Sequence, residues 1–169
     1  ATTEIYTLSL HDAFPIWADV MSGNLPDGTF RFHLGDLDLG GLCMLGTFTQ
    51  YGVVSEYSCV KIHPDIPLDV AALVGCGVPT GWGSSVYGAG VRAGDTVVIY
   101  GVGGVGINAV QGAVYAGAKN VVAVDPVAFK RDTAARLGAT HVVSDHEEAR
   151  ALIVDGLTLG VGADHAVIT

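Results

Sequence analysis

The second half of the chain alternates short apolar segments with segments of helical periodicity. Four apolar segments predict strands, at residues 96–100, 120–124, 141–143 and 164–169. Two of the intervening helices are predicted to end at Gly117 and Gly138, and Ser144 or Asp145 can cap a third. Because strands that alternate with helices of this length form parallel sheets, the pattern predicts a doubly wound α/β fold.

Residues 18–67 instead show short alternating segments separated by turns. The predicted elements are a turn at residues 25–28 and strands at residues 29–33, 46–54 and 59–62. Residues 68–74 are apolar enough to form a short buried helix, and a further helix after residues 77–85 is expected to end near residues 88–90. The first half is therefore predicted to be a β-rich piece with too few strands to close on itself.

The first strand of the α/β part runs directly into a glycine-rich turn, which fits the pattern G-x-G-x-x-G. Its residues are Gly101, Val102, Gly103, Gly104, Val105 and Gly106. The glycines of this pattern allow a tight turn, a close approach of the backbone to a pyrophosphate and close packing of the next helix. The alternative is a set of ordinary turns, since the chain has 24 glycines.

An acidic residue follows the second strand at the spacing expected of a dinucleotide site. Asp125 lies 19 residues beyond Gly106, close to the about 20 typical of the carboxylate that binds the adenosine ribose. A carboxylate would repel a 2′-phosphate, so NAD is favoured over NADP. The alternative for Asp125 is a solvated helix cap, and spacing alone gives Lys130 little weight.

Composition excludes several classes of function. The formal charge is −9, with only eight Lys and Arg, which argues against a nucleic-acid or anionic-membrane surface. No apolar segment approaches the about 20 residues that cross a bilayer. The three cysteines, Cys43, Cys59 and Cys76, are too few and too widely spaced for a disulfide framework. We expect a cytoplasmic protein that acts on a small molecule.

Both ends of the chain are expected to be incomplete. Residues 1–16 resemble a translated reading frame of a sequencing adapter, which suggests read-through, although a real N-terminal strand or helix start is the alternative. Only four strands are predicted, whereas a complete dinucleotide-binding fold has about six. We therefore expect a partial gene product that begins near Trp17 and stops within the sheet.

Several motifs together resemble the zinc-dependent medium-chain alcohol dehydrogenases. In chain order they are LPDGT (25–29), LGTF (45–48), QY (50–51), GCG (75–77), TG (80–81), the glycine turn and VD (124–125). The segments DGTFRF, GCGVPTGWGSSVY, GVGGVGINAVQGA and VDPVAFKRDTA are most similar to the NDMA-dependent branch, in which the nicotinamide cofactor is held unusually tightly. The resemblance covers essentially everything after Trp17.

The resemblance implies part of a GroES-like β-barrel over residues 17–77 and part of an NAD-binding Rossmann domain over residues 78–169. From the residues alone, Cys76 is predicted to be a small buried side chain rather than a metal ligand; the resemblance instead implies that it is a ligand of the catalytic zinc. It also implies nicotinamide contacts for Thr80 and Val105, and ribose contacts for Asp125 and Lys130. The zinc would polarise an alcohol that loses hydride to NAD.

The resemblance also sets limits on what this chain does. The family's other catalytic zinc ligands, its proton relay and its structural zinc lobe match no residue here, and one thiolate cannot hold a catalytic zinc. We therefore expect the 169-residue chain to be inactive, although its parent would be a homo-oligomeric enzyme acting on an alcohol or aldehyde. The rivals are a thiol-adduct formaldehyde dehydrogenase of the same superfamily and a non-catalytic dinucleotide-binding redox sensor.

Overall fold

The computed structural model describes residues 23–24, 28–41, 50–51 and 59–169. The chain divides into two compact units, Ala1–Asp65 and Ile66–Thr169. The predicted adapter segment, most of the turn at residues 25–28 and most of the strand at residues 46–54 lie outside the described residues. Among the described residues, no helix combines the length and the hydrophobicity needed to cross a bilayer.

A β-hairpin is the regular structure described in the first unit. Strands β1 (Phe32–Leu34) and β2 (Leu37–Leu39) pair in antiparallel fashion. Gly35 adopts a φ of 62° in the two-residue turn between them, a conformation that glycine tolerates and hairpin turns require. The predicted strand at residues 29–33 overlaps only part of β1.

The predicted strand at residues 59–62 is wrong, because these residues have no strand conformation. Val60 is 70% exposed and Ile62 is 42% exposed. Alternation of apolar and polar residues predicts a strand when the apolar residues form a buried face. Here the apolar residues are exposed, so the alternation does not mark such a face.

A four-stranded parallel sheet forms the centre of the second unit. Its strands are β3 (Thr96–Tyr100), β4 (Asn120–Val124), β5 (His141–Val143) and β6 (His165–Ile168). They lie in the order β5–β4–β3–β6, and Tyr100 at the end of β3 is in register with Val124 on one side and Ile168 on the other. All four predicted strands are confirmed, and the carboxyl ends of β3, β4 and β6 share one edge.

Helices connect these strands and precede the sheet. They are α1 (Leu68–Val74), α2 (Gly77–Gly83), α3 (Gly104–Tyr115), α4 (Ala128–Arg136) and α5 (His146–Ala151). A π-helical segment, Ser84–Gly88, continues α2, and another, Leu152–Leu157, continues α5. The sequence predicted α1, α3, α4 and α5 but not α2. The helix expected to end near residues 88–90 coincides with the π-helical segment Ser84–Gly88. Asp145 caps α5 as expected, since its side chain accepts a hydrogen bond from the Glu148 amide.

The predicted burial of α1 is wrong, although its bounds are as expected. Leu68 is 77% exposed and Leu73 is 64% exposed, and the helix has no buried residue. Every residue of α1 except Asp69 is apolar. In a helix of two turns these side chains point in all directions, so they cannot all face a single neighbour.

Both faces of the central strands β3 and β4 are buried, and each face is covered by a different set of helices. Alternate strand residues such as Ile99 and Val121 pack with α3 and with Ala134 of α4. The intervening residues, such as Val98 and Val122, pack with Ala149 and Ile153. Because successive strand residues point to opposite faces, this arrangement confirms the predicted doubly wound α/β fold.

The predicted domain boundary between residues 77 and 78 falls within the second unit, because that unit begins at Ile66 and includes α1. The division into a GroES-like part and a Rossmann part remains a prediction.

Candidate nucleotide-binding site

The glycine turn begins at the carboxyl end of β3, and its conformation requires glycine at two positions. Gly101 has a φ of 81°, and its amide donates a hydrogen bond of 2.8 Å to the Val124 carbonyl. A Cβ on Gly106 would overlap the Gly101 carbonyl oxygen. The turn therefore folds tightly onto the first turn of α3, as the predicted roles of these glycines require.

The outer side of the turn is open. A Cβ on Gly103 or Gly104 would meet no atom within 4 Å. No side chain caps α3, and its first backbone bond runs from the Ile107 amide to the Gly103 carbonyl, at 2.9 Å. Within the described part of the chain, the amides of Gly104, Val105 and Gly106 have no acceptor. Such amides at a helix N-terminus form a binding site for an anion.

Asp125 follows β4 and is only 3% exposed. Its Oδ2 accepts a hydrogen bond from the Val102 amide at 3.0 Å, and its Oδ1 accepts one from the Val127 amide at 2.9 Å. Burial alone would raise the pKa of the Asp125 carboxyl, but these two amides and the Lys130 ammonium outweigh it, so the pKa is lowered. The carboxylate is therefore ionised and bonded directly to the glycine turn.

Two cations of α4 flank Asp125. The Lys130 Nζ lies 3.5 Å from Asp125 Oδ2, with the Lys130 side chain 43% exposed. Arg131 Nη1 donates a bond of 2.7 Å to the Asp125 main-chain carbonyl. The first helical residues after β4 therefore hold both the side chain and the backbone of Asp125. The sequence pointed weakly to Lys130 and missed Arg131.

Helix α2 crosses α3 with their backbones in contact. A Cβ on Gly81 would overlap the Val105 carbonyl oxygen, and one on Gly112 would lie 2.9 Å from the Trp82 carbonyl oxygen. The buried Ser85 hydroxyl adds a bond of 2.7 Å to the Ala109 carbonyl. Glycines on both helices permit this close approach.

The crossing brings Thr80 and Val105 to the same end of the site. Thr80 precedes Gly81, and Gly81 packs against Val105. The Thr80 amide donates to the Cys76 carbonyl at 3.0 Å, so Cys76 lies one helical turn before Thr80. The structure therefore brings the backbones of two residues assigned to the nicotinamide end together; their contacts with a nicotinamide remain predictions.

Cys76 immediately precedes α2 and carries a free, exposed thiol. Across residues 23–24, 28–41, 50–51 and 59–169, no three His, Cys, Asp or Glu side chains are placed to hold a metal ion. Since a catalytic zinc needs three protein ligands, these residues alone do not fit one. Cys76 offers a single sulfur donor.

A second residue of the site, besides Arg131, was missed by the sequence reasoning. Thr169 follows β6, and its hydroxyl donates a bond of 2.8 Å to the Gly101 carbonyl. A signal was available, because the residue after the fourth strand lies at the point where the strand order reverses, which is where open α/β sheets bind ligands.

Comparison with known proteins places this geometry in a family. Residues 104–169 match the family model described as zinc-binding dehydrogenase. The chain is 58% identical over 152 residues to the NDMA-dependent alcohol dehydrogenase of Amycolatopsis methanolica, covering 90% of this chain and 41% of that protein. It is 42% identical over 128 residues to the S-(hydroxymethyl)glutathione dehydrogenase of Saccharomyces cerevisiae, covering 75% of this chain and 33% of that protein.

A solved structure gives the same picture. The alcohol dehydrogenase zinc-binding domain protein of Burkholderia ambifaria superposes with a TM-score of 0.72 at 29% identity, covering 90% of this chain and 42% of that one. The chain thus spans well under half the length of the relatives it matches. The resemblance read from the sequence motifs is confirmed, and residues 104–169 match the model of the zinc-binding dehydrogenase family.

Proposed function

We propose that this chain carries the NAD-binding half-site of an alcohol dehydrogenase. In the proposed complex, the amides of Gly104, Val105 and Gly106 bind the pyrophosphate of NAD, and the Asp125 carboxylate accepts hydrogen bonds from the adenosine ribose. The observation that carries the proposal is the direct bond between the Val102 amide and Asp125 Oδ2, at 3.0 Å. It sets the anion-binding turn and the ribose-binding carboxylate at a fixed separation before any ligand binds.

The order of the strands supports the same assignment. Reading β3, β4, β5 and β6 as first to fourth, the sheet has the order third, second, first, fourth, which begins the order typical of dinucleotide-binding domains. Bound NAD would supply the hydride acceptor. In the proposed complex, the chain's own residues bind the two phosphates and orient the adenosine half, and Thr80 contacts the nicotinamide.

The assignments of the zinc ligand and of the substrate concern the whole protein. We assign Cys76 as one ligand of a zinc ion whose remaining ligands lie outside the described residues. We assign an alcohol or aldehyde as the substrate, since one relative is named as an NDMA-dependent alcohol dehydrogenase. The 42% identity to an S-(hydroxymethyl)glutathione dehydrogenase favours a second candidate, the oxidation of a thiol–formaldehyde adduct.

The first test titrates the 169-residue chain with NAD and with NADP by calorimetry. We expect saturable binding of NAD and at least about tenfold weaker binding of NADP, because the buried Asp125 carboxylate repels a 2′-phosphate. Equal affinity for the two nucleotides would contradict the role given to Asp125.

The second test uses the full-length protein. Its zinc content is measured by elemental analysis for the wild type and for Cys76→Ser, with Cys59→Ser as the matched control. We expect Cys76→Ser alone to lose zinc. Assays with simple alcohols and with a thiol–formaldehyde adduct then separate the two candidate substrates, and a full-length protein that reduced NAD with neither would refute the proposed activity.

A further inference from the structure

A single peptide unit of the glycine turn is held at both ends. The N–H of Val102 donates to Asp125 Oδ2 at 3.0 Å. The carbonyl of the same peptide, that of Gly101, accepts from Thr169 Oγ1 at 2.8 Å. In a trans peptide the N–H and C=O point in opposite directions, and here they point to residues that follow the two neighbours of β3, namely β4 and β6.

The main chain of Thr169 is bonded to β3. The Thr169 amide donates to the Tyr100 carbonyl at 3.0 Å, continuing the ladder between β3 and β6. A Cβ on Gly106 would lie 2.8 Å from Thr169 Oγ1. The hydroxyl therefore lies in the narrow space between the start of the turn and the first turn of α3.

The orientation of this peptide bears on anion binding. A carbonyl oxygen carries a partial negative charge, so it disfavours a phosphate when it points toward one. Thr169 keeps the Gly101 carbonyl directed toward β6. If this bond were lost, rotation of the peptide would also withdraw the Val102 amide from Asp125, because the two groups belong to one rigid plane.

We propose that Thr169 is a positioning residue of the nucleotide site, whose hydroxyl holds the Gly101–Val102 peptide in the orientation that keeps the Gly101 carbonyl away from the pyrophosphate. The proposal rests on the proposed NAD function. Thr169 and Asp125 then act as a pair, each fixing one end of the same peptide from a neighbouring strand.

The test compares NAD affinity among variants of the whole chain. Thr169→Val removes the hydroxyl and keeps the shape, and we expect it to raise the Kd for NAD about five- to tenfold, the usual effect of losing one hydrogen bond. Thr169→Ser keeps the hydroxyl and should restore affinity to within about twofold of the wild type. Urea unfolding of each variant establishes that the folded state is being measured.

Thr158→Val is the matched control. Its hydroxyl also donates to a main-chain carbonyl, that of Ile153 at 2.7 Å, but it lies in the loop before β6, beyond the opposite end of that strand. We expect this variant to lower the urea midpoint and to leave the Kd for NAD unchanged. A purely structural role for Thr169 would make the two Thr→Val variants behave alike.

The double variant Asp125→Ala/Thr169→Val, compared with Asp125→Ala and Thr169→Val, tests the pairing, because Ala leaves no acceptor for the Val102 amide. Because both residues hold one peptide, its loss of affinity should be smaller than the product of the two single losses. Failure of the unmodified chain to bind NAD would overturn the proposed function and this inference together. If the unmodified chain binds NAD, then equal affinity of Thr169→Val, or equal weakening by Thr169→Val and Thr169→Ser, would overturn this inference alone.

Discussion

Replacing Asp125 by Asn should weaken both the fold and the nucleotide site, because the same carboxylate serves both. The carboxylate accepts bonds from the amides of Val102 and Val127. An Asn side chain has one acceptor oxygen and one NH2 group, so it can accept from only one of these amides. At the other amide, the NH2 group of Asn would face the main-chain N–H, and both are donors.

The expected cost follows from the surroundings of the two amides. Val102 is 3% exposed, whereas Val127 is 47% exposed. We therefore expect the Asn oxygen to keep the hydrogen bond from the Val102 amide, while water solvates the Val127 amide. One charge-assisted bond is then lost, at about 1.5–3 kcal/mol. The contact with Lys130 adds at most about 1 kcal/mol, since the ammonium is largely solvated. We expect the free energy of unfolding to fall by about 2–3 kcal/mol.

The assay is urea unfolding followed by circular dichroism, together with calorimetric titration of NAD. Loss of the charged acceptor for the ribose should cost about 2 kcal/mol of binding, or about a thirtyfold rise in Kd. Asp132→Asn is the matched control, because it makes the same charge change on an exposed face of α4. An Asp125→Asn variant that matched this control in both urea midpoint and Kd would refute the reasoning.

Two further predictions concern the stability of the second unit. Gly81→Ala should lower the free energy of unfolding by at least about 1–3 kcal/mol, because its Cβ would overlap the Val105 carbonyl oxygen; Gly77→Ala in the same helix meets no atom within 4 Å and should be neutral in the same urea experiment. Stability should also fall with pH below the ordinary carboxyl pKa of 3.8, since the pKa of Asp95 is lowered in the fold by the Arg92 amide and by His165. A carboxyl with a lowered pKa stabilises the fold above its unfolded pKa and loses that contribution as the pH falls through its folded pKa. The urea midpoint of Asp95→Asn should therefore decline less steeply than that of the wild type between pH values of about 5 and 3. Equal slopes for the two proteins would contradict this assignment.

The sequence was most informative where the relevant interactions are local. The strand bounds, the glycine turn and the spacing to Asp125 each depend on residues close in the chain, or on a pattern with a fixed period. The bounds of α1 were predicted equally well. Its burial was not, because burial depends on what packs against a helix rather than on its composition.

The contacts that escaped prediction are long-range and depend on the third dimension. Thr169 and Gly101 are 68 residues apart. The local sequence around each of them does not predict a hydrogen bond to the other. The crossing of α2 and α3 depends on Gly81 and Gly112, which are indistinguishable in the sequence from the glycines of ordinary turns. Arg131 was missed because a bond to a main-chain carbonyl leaves no pattern in residue types.

The proposed nucleotide site and the proposed zinc site differ in how much of each the described residues contain. The unit Ile66–Thr169 contains the open N-terminus of α3 and the ionised Asp125. It also contains the two hydrogen bonds that hold the Gly101–Val102 peptide. The zinc site has only Cys76 within the described residues. Because the Thr80 amide bonds to the Cys76 carbonyl, and α2 packs through Gly81 on the helix that begins at the turn, the main chain of Cys76 is held relative to the proposed nucleotide site. Under the proposed function, we therefore expect this chain to bind NAD alone, whereas oxidation of an alcohol requires zinc ligands beyond the residues proposed to hold the nucleotide.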